Sequence, residues 1–207
     1  MIVKQYGITY KRVQENDIEL IRYWRNRDFI RNTMQFQEYI TPLMQKEWFK
    51  KINNRFNYYY ILEYEEKKIG LINCKDTNEQ RVAEGGIFLW EKSYWNTMIP
   101  AYASLTMLEV IFEEIKSGDT SVITVLKSNT HALQFNQLLG YQIYYEDEKV
   151  YKLKLTLEDY FQKTYRLKKA AQISVGKEKS QLQIIAEPSP LLDDKVNEYL
   201  IKREKSK

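Results

Sequence analysis

Between Arg81 and Glu114 the chain reads RVAEGGIFLWEKSYWNTMIPAYASLTMLEVIFEE, and its apolar positions change period part-way. Gly86 to Trp90 is a short unbroken apolar run, the pattern of a buried strand. Glu91 to Asn96 is a polar bend. Ala101, Leu105, Leu108, Ile111, Phe112 and Ile115 then recur at helical spacing. Lys116, Ser117 and Gly118 predict the helix end, with a cation in the last turn and a glycine for the left-handed residue beyond it. A strand, tight loop and long helix in this order aim free backbone N–H groups and the positive end of a helix dipole at one spot, which suits an anion. An ordinary core strand–helix unit has the same pattern.

The rest of the chain supplies the neighbours of that unit. Ile8 to Val13 predicts a first strand. Asn16 or Asp17 caps a helical stretch, DIELIRYWRNRDFIRNTM, with Ile18, Ile21, Trp24 and Phe29 facing inward. Thr41-Pro42 starts a second helix that carries Leu43, Trp48, Phe49 and Ile52 on its apolar side. Tyr58–Tyr64 and Lys68–Cys74 form a hairpin across Glu65-Glu66-Lys67. After the focal unit come strand TSVITVL from Thr120 to Leu126, a short helix from Asn129 to Leu139, and strands Tyr141–Tyr145 and Val150–Leu155. Strands first meander and then alternate with helices. The expected fold is α/β (α+β mixed), a central twisted mixed sheet of about six to seven strands flanked by helices. From Arg166 to Ser180 the chain turns basic and poor in large apolar residues. Beyond Ser189-Pro190, Leu192, Val196, Tyr199 and Leu200 share one helical face. The domain expectation is residues 1–165 as the folded unit and 166–207 as a C-terminal extension with a terminal helix, dispensable for the main fold.

Composition narrows the chemistry. A net charge of +4 among 60 charged residues implies no polyanion partner. The lone Cys74 excludes an internal disulfide and fits a reducing, cytoplasmic setting. No apolar run reaches bilayer length, and no signal-peptide core opens the chain. One histidine and one cysteine argue against a zinc site or a Ser–His–Asp triad, so no metal is expected. The 17 tyrosines and the basic tail do not amount to a nucleic-acid surface, because the charge is balanced and no stacking motif stands out.

Two stretches together resemble the GNAT superfamily of acetyl-CoA-dependent N-acetyltransferases. Ala83-Glu84-Gly85-Gly86-Ile87-Phe88-Leu89, followed by Tyr94-Trp95-Asn96-Thr97, is similar to the "AEIGYWL…YWGKG" run of the ribosomal-protein N-terminal and amino-sugar branch. Asn129 to Tyr141, NTHALQFNQLLGY, is similar to that branch's "N-x-x-S/A…k-L-G-F" helix and its exit into a strand. Trp24-Arg25-Asn26 with Ile30-Arg31, Met34 and Ile40 resembles the N-terminal region of the amino-sugar N-acetyltransferases of the pseudaminic acid pathway. The three matches fall in the family's order over residues 8 to 156.

The resemblance implies acetyl transfer from acetyl-CoA, as acetyl donor, to a primary amine on a small molecule or a protein N-terminus, an amino sugar, free or nucleotide-linked, ahead of the latter. It implies that Trp95, Asn96, Thr97, Met98, Ile99 and Ala101 hold the pyrophosphate. Ile87, Phe88 and Leu89 would offer a strand edge to the pantetheine arm, with Asn129 and Asn136 beside it. Glu84 is implied as catalytic base. Asn129 alone reads equally as a helix N-cap, and Glu84 as a partner of Arg81 or solvent. Arg25, Arg31 and Glu38 are the acceptor-pocket candidates, with surface or ion-pair roles as their alternatives. His131 reads as a surface helix residue. The chain departs from the family pattern twice: its phosphate loop has Asn96, Met98 and Pro100 where glycines are usual, and Asn136 stands where many members place an acidic tyrosine. The alternative function is therefore a degenerate GNAT-fold protein, a CoA-binding or interaction module without turnover. A monomer or homodimer is expected, the latter through the C-terminal helix. No membrane partner is expected.

Overall fold

The computed structural model describes residues 1–75 and 82–205. Its centre is a nine-stranded sheet in the order β7-β8-β6-β5-β4-β3-β2-β1-β9. The strands are β1 Ile2–Gln5, β2 Ile8–Arg12, β3 Tyr58–Tyr64, β4 Lys67–Lys75, β5 Val82–Leu89, β6 Thr120–Leu126, β7 Gln142–Glu146, β8 Val150–Thr156 and β9 Gln183–Ile185. All neighbours are antiparallel except β5 and β6. The mixed sheet agrees with the sequence pattern; β1 and β9 are the two strands beyond the expected number. The β3–β4 hairpin turns on Glu65 and Glu66, both left-handed (φ 48° and 62°), which lets a two-residue turn follow the strand twist.

Because side chains alternate across a strand, the sheet carries two cores. On β3 and β4, Tyr60, Leu62 and Ile72 enter the larger one, while Ile61 and Leu71 enter the smaller. The larger core wraps helix α4, Ile99–Glu109, which is buried nearly all round, as an apolar helix at the centre of a domain must be. The helix then widens into a π turn, Val110–Glu114. Ile115 N–H reaches the Val110 carbonyl and Ser117 N–H the Ile111 carbonyl, so Lys116 takes the left-handed position (φ 55°). The glycine expected to do so, Gly118, does not: the π turn closes the helix before the chain reaches it.

Helices α1 Ile18–Arg25, α2 Asp28–Arg31 and α3 Pro42–Ile52 cover the smaller core. The stretch read as one helix is broken at Arg27, whose backbone is extended. The Asn26 amide exchanges two hydrogen bonds with the Ile40 backbone (2.9 and 2.8 Å) and ties the α2–α3 loop back to α1. Asp17 does not cap α1 through its side chain. It accepts from Gln14 N–H at 3.0 Å and pairs with Lys68 at 2.7 Å. Thr41 caps α3 as expected, accepting from Met44 N–H at 3.2 Å.

After β6, Asn129 caps α5 Thr130–Leu138, and Gly140 (φ 99°) turns the chain into β7. A Cβ there would lie 2.7 Å from the Lys163 side chain. Helix α6 runs unbroken from Leu157 to Val175, so residue 165 falls inside it. The short α7 Lys177–Ser180 leads to β9, which extends the sheet beside β1, and α8 Asp194–Glu204 follows. Leu192, Val196 and Leu200 are buried in the larger core with Tyr199 packed against it, so the chain itself covers this apolar face.

Candidate active site

Strands β5 and β6 pair only over Val82–Glu84 and Thr120–Val122. Past that point each follows its other neighbour. β5 stays on β4 as far as Leu89 opposite Gly70, and β6 stays on β8 as far as Leu126. The two strands part like a V, and among the described residues the β5 edge from Gly85 onward faces no strand. A cavity of about 1540 Å³ fills the V and runs out on both sides of the sheet. One flank is made by Pro100, Ser104 and Leu108 of α4 with Asn129, Ala132 and Asn136 from α5 and its cap. The other is made by Arg25, Phe29 and Trp48 of the first three helices. Gly86 opens the floor: a Cβ there would sit 2.8 Å from Asn73 Oδ1, so only glycine lets the Asn73 amide lean across β5.

At the mouth of the V, a one-turn 3-10 helix, Lys92–Tyr94, leads into α4. Trp95 Nε1–H donates to the Leu89 carbonyl at 2.9 Å and pins this turn to the end of β5. Met98 occupies the N-cap of α4 without a side-chain hydrogen bond, and no acidic residue lies in the first turn. The positive end of the dipole therefore has no charge partner from its own helix. Pro100 has no N–H, but at the first turn the helix needs none.

The expected site residues divide clearly. Ile87, Phe88, Leu89, Trp95, Asn96, Asn129, Asn136 and Arg25 all line the cavity. Ile87 packs toward the larger core and Phe88 toward the smaller, so β5 touches both flanks. Thr97, Met98, Ile99 and Ala101 form the turn and first turn of α4 behind the lining. Glu84 sits at the last paired position before the V, with Lys75 Nζ 3.0 Å from its carboxylate. Its expected partner, Arg81, lies outside the described residues. Arg31 pairs with Asp28 at 2.5 Å, and Glu38 is exposed; neither lines the cavity. Asn129 caps α5 by accepting from Ala132 N–H at 3.1 Å. Asn136 Nδ2 donates to its own helix at Ala132 (2.7 Å). His131 is exposed at the rim.

Sequence reasoning missed three polar groups at the root of the V. Asn73 is one. The others are Ser121 and Tyr141, whose hydroxyls lie 2.7 Å apart, both buried and both in the lining. Burial pushes the Tyr141 pKa up, against the Ser121 hydrogen bond that lowers it, so the phenol stays protonated. Two hydroxyls joined by one hydrogen bond leave one proton over, and it can be offered to the cavity. For Ser121 the signal was only a small polar residue inside the β-branched strand TSVITVL.

Residues 8–142 match the model of the acetyltransferase (GNAT) domain. The chain belongs to the GNAT family. Solved GNAT structures share its fold. FdhC, described as a nucleotide-linked sugar GNAT, aligns with a TM-score of 0.68 at 20% identity, over 81% of this chain and 96% of that one. Campylobacter jejuni PseH, an N-acetyltransferase solved with acetyl coenzyme A, aligns with a TM-score of 0.54 at 24% identity, over 72% and 98%. A chimera of the Vibrio cholerae spermidine N-acetyltransferase SpeG and hSSAT aligns at 0.64 and 16% identity, over 75% and 98%. No curated protein sequence matches the chain. Among the described residues, no helix of this GNAT protein is long and apolar enough to cross a membrane.

Proposed function

We propose that this GNAT protein transfers acetyl from acetyl-CoA to a primary amine, in the cytoplasm, with an amino sugar ahead of a protein N-terminus as acceptor. The V between β5 and β6 carries the reading. A free strand edge beside a cavity accepts an extended, amide-bearing arm in the way a sheet accepts another strand. Gly85 to Leu89 would supply that edge, except that the Leu89 carbonyl is already taken by Trp95. The start of α4, with no acidic residue in its first turn though Ile99 N–H already donates to Thr97 Oγ1 at 3.2 Å, fits a pyrophosphate with Asn96 to Ala101, and Asn129 and Ala132 would flank the arm. The acceptor enters from the α1–α3 side. FdhC, a nucleotide-linked sugar GNAT by its description, supports the sugar.

The donor supplies an acetyl thioester; the chain must deprotonate the amine and cover the leaving sulphur. Glu84, at the last paired position before the V and 3.0 Å from Lys75 Nζ, would take the amine proton through a water, although it is not itself among the residues lining the cavity. Asn136 is an amide bound to Ala132 and donates no acidic proton, the observation that favours the alternative of a CoA-binding module without turnover. The Ser121–Tyr141 pair offers a hydrogen bond near the same place.

Acetyl-CoA should raise the melting temperature, since a ligand bound only to the folded state at a hundred times its dissociation constant adds about 2.7 kcal/mol. No shift at saturating ligand would remove the donor site and the reading with it. Glu84→Gln should keep that shift while turnover falls about 10²- to 10⁴-fold. A variant as active as the parent assigns the base elsewhere.

A further inference from the structure

Side chains alternate along β5, so its two faces carry different chemistry. Ala83 and Ile87 pack into the larger core, on the side of α4, and Phe88 into the smaller. Gly85 therefore shares the face of Ala83 and Ile87, while Glu84 and Gly86 share the face of Phe88. The Ser121 and Tyr141 hydroxyls lie on the α4 side. A Cβ placed on Gly85 would be 3.7 Å from Ser121 Oγ and 3.6 Å from Ile123, itself part of the larger core. Where the β5 edge becomes free, a carboxylate stands on one face and two hydroxyls on the other.

Packing alone accounts poorly for that pair. Ser121 and Tyr141 are only 2% and 6% exposed, yet both line the cavity. Their mutual bond of 2.7 Å uses one of two protons, and among the described residues neither hydroxyl has a second partner. Gly85, having no side chain, leaves Ser121 Oγ open toward the free edge. Asn136, farther along this flank, already gives its amide to the Ala132 carbonyl at 2.7 Å. The charged side chains in the lining, Arg25, Glu47 and Lys51, belong to α1 and α3 on the other flank. The Cys74 thiol, opposite Gly85 on β4, is the titratable neighbour of the pair. Burial raises the Tyr141 pKa, the Ser121 bond lowers it, and Cys74 adds to the rise, so the phenol keeps its proton.

We propose that the Ser121–Tyr141 pair is the proton donor to the leaving sulphur of CoA, working from the face of β5 opposite to the base. The inference rests on the acetyltransferase reading and adds the acid to its base. As the amine nitrogen bonds to the acetyl carbon and the carbon–sulphur bond breaks, Ser121 gives its proton to the sulphur. Ser121 takes the Tyr141 proton in return, and the surplus amine proton goes through a water to Glu84. Once the products leave, the Glu84 proton returns through solvent to the phenolate, and the chain ends as it began. A bare thiolate in this apolar place is disfavoured by the same burial as a phenolate, which narrows the gap between the two acids. The competing explanation is that two core hydroxyls merely satisfy each other.

The explanations separate on the ionisation of a bound thiol. CoA carrying carbon-13 beside its sulphur is bound to the full chain and titrated with alkali. Its signal follows this thiol alone, apart from Cys74 and the tyrosines. A hydroxyl donating to sulphur favours the thiolate. The bound thiol should therefore ionise about one pH unit lower, tenfold in acid constant, in the parent than in Ser121→Ala/Tyr141→Phe. The double variant removes both partners and nearly keeps their shapes, so it should fold and melt close to the parent. Should it not fold, Ser121→Ala carries the comparison, and Tyr141→Phe, which leaves the Ser121 hydroxyl at the edge, should show the smaller shift. None of these changes should alter affinity for desulpho-CoA, which has no sulphur to meet the pair. Equal ionisation in parent and variants, with CoA bound to all, would overturn the proposal and leave the donor site standing. Failure of CoA to bind the parent is a different result, which strikes the donor reading and the pair's role with it.

Discussion

The two faces of the sheet are built to different standards. On the face that holds α4, packing is saturated. Three buried tyrosines, Tyr6, Tyr10 and Tyr160, and a ring of aliphatic side chains close around the helix, and α6, β9 and α8 seal the outside. Even the ions are enclosed: Lys168 reaches from α6 to Glu109 at 3.0 Å and to Glu113, Tyr160 also donates to Glu113, and Gln5 donates to Glu109 at 3.1 Å. On the other face six buried residues, Val13, Ile21, Ile30, Ile61, Leu71 and Trp90, make the whole core. Its cover leaves large apolar groups in solvent and one guanidinium half-paired. Packing is closed where the domain needs only to persist and open where something else must fit; buried polar atoms without a hydrogen-bond partner occur on both faces, Gln5 Oε1 and Tyr6 Oη on one and Arg25 Nη1 and Gln45 Nε2 on the other.

The largest break in the comparison would come from removing the seal. A chain truncated after Lys168 also tests the expected boundary at 165/166. It loses β9 from the sheet edge and uncovers the larger core where Leu192, Val196 and Leu200 now lie, each worth about 1.5–3 kcal/mol in burial. Against a total stability of about 5–15 kcal/mol, that is enough to abolish a cooperative melt. Light scattering and calorimetry of the truncated chain should show an insoluble or non-cooperative product. A soluble, cooperatively melting one would bear out the expectation that the extension is dispensable.

A smaller break is Lys168→Met. It keeps the aliphatic stem but leaves Glu109 and Glu113 facing each other in a largely buried place. Removing one side of such a network destabilises by about 3–5 kcal/mol, which chemical denaturation would measure. Burial lowers the Lys168 pKa, but the hydrogen bonds to Glu113 and Glu109 outweigh it and leave the pKa above its ordinary 10.5. A raised folded value means the stabilisation is complete below 10.5 and fades as pH climbs through the folded value. The deficit of the variant should therefore be flat from neutral pH to about 10 and shrink only in stronger alkali. A deficit that shrinks near neutrality would point to the carboxylates instead.

The contrast also explains what could be read from the residues alone. Segments whose periodicity is local were legible. TSVITVL became β6 residue for residue, Thr41-Pro42 opened α3, and the Tyr58–Cys74 hairpin formed with a turn one residue tighter than expected. Segments that depend on distant partners were not. β9 is three residues long and exists because β1 lies beside it. The buried positions of α6 are Tyr160, Thr164 and Ala171, too small and polar in sum to announce a helix face. The candidate site was half legible. The strand, loop and capping asparagine could be placed by spacing, because they are the scaffold of the V. The parting of β5 from β6, the reach of Asn73 over Gly86, the Ser121–Tyr141 contact and the dry nitrogen of Arg25 are relations between segments, and no single segment encodes them.

The smallest effect should fall on the open face, where a truncation tests whether exposure there is a vacancy in packing or a feature of use. Leu43 on α3 is 68% exposed and lines the cavity; Leu105 on α4 is 0% exposed in the larger core. Leu105→Ala removes a side chain from a place that cannot collapse around the gap and should destabilise by about 2–5 kcal/mol. Leu43→Ala removes almost nothing from the folded state's contacts and should stay within about 0.5 kcal/mol of the parent. If the acceptor lies against this wall, the same change lowers acceptor affinity while leaving acetyl-CoA affinity alone. Denaturation midpoints for both variants, with an acceptor KM for Leu43→Ala, give the comparison directly. A loss of stability at Leu43 as large as that at Leu105 would mean that the open face is packed in solution, and that its cavity is not where the acceptor sits.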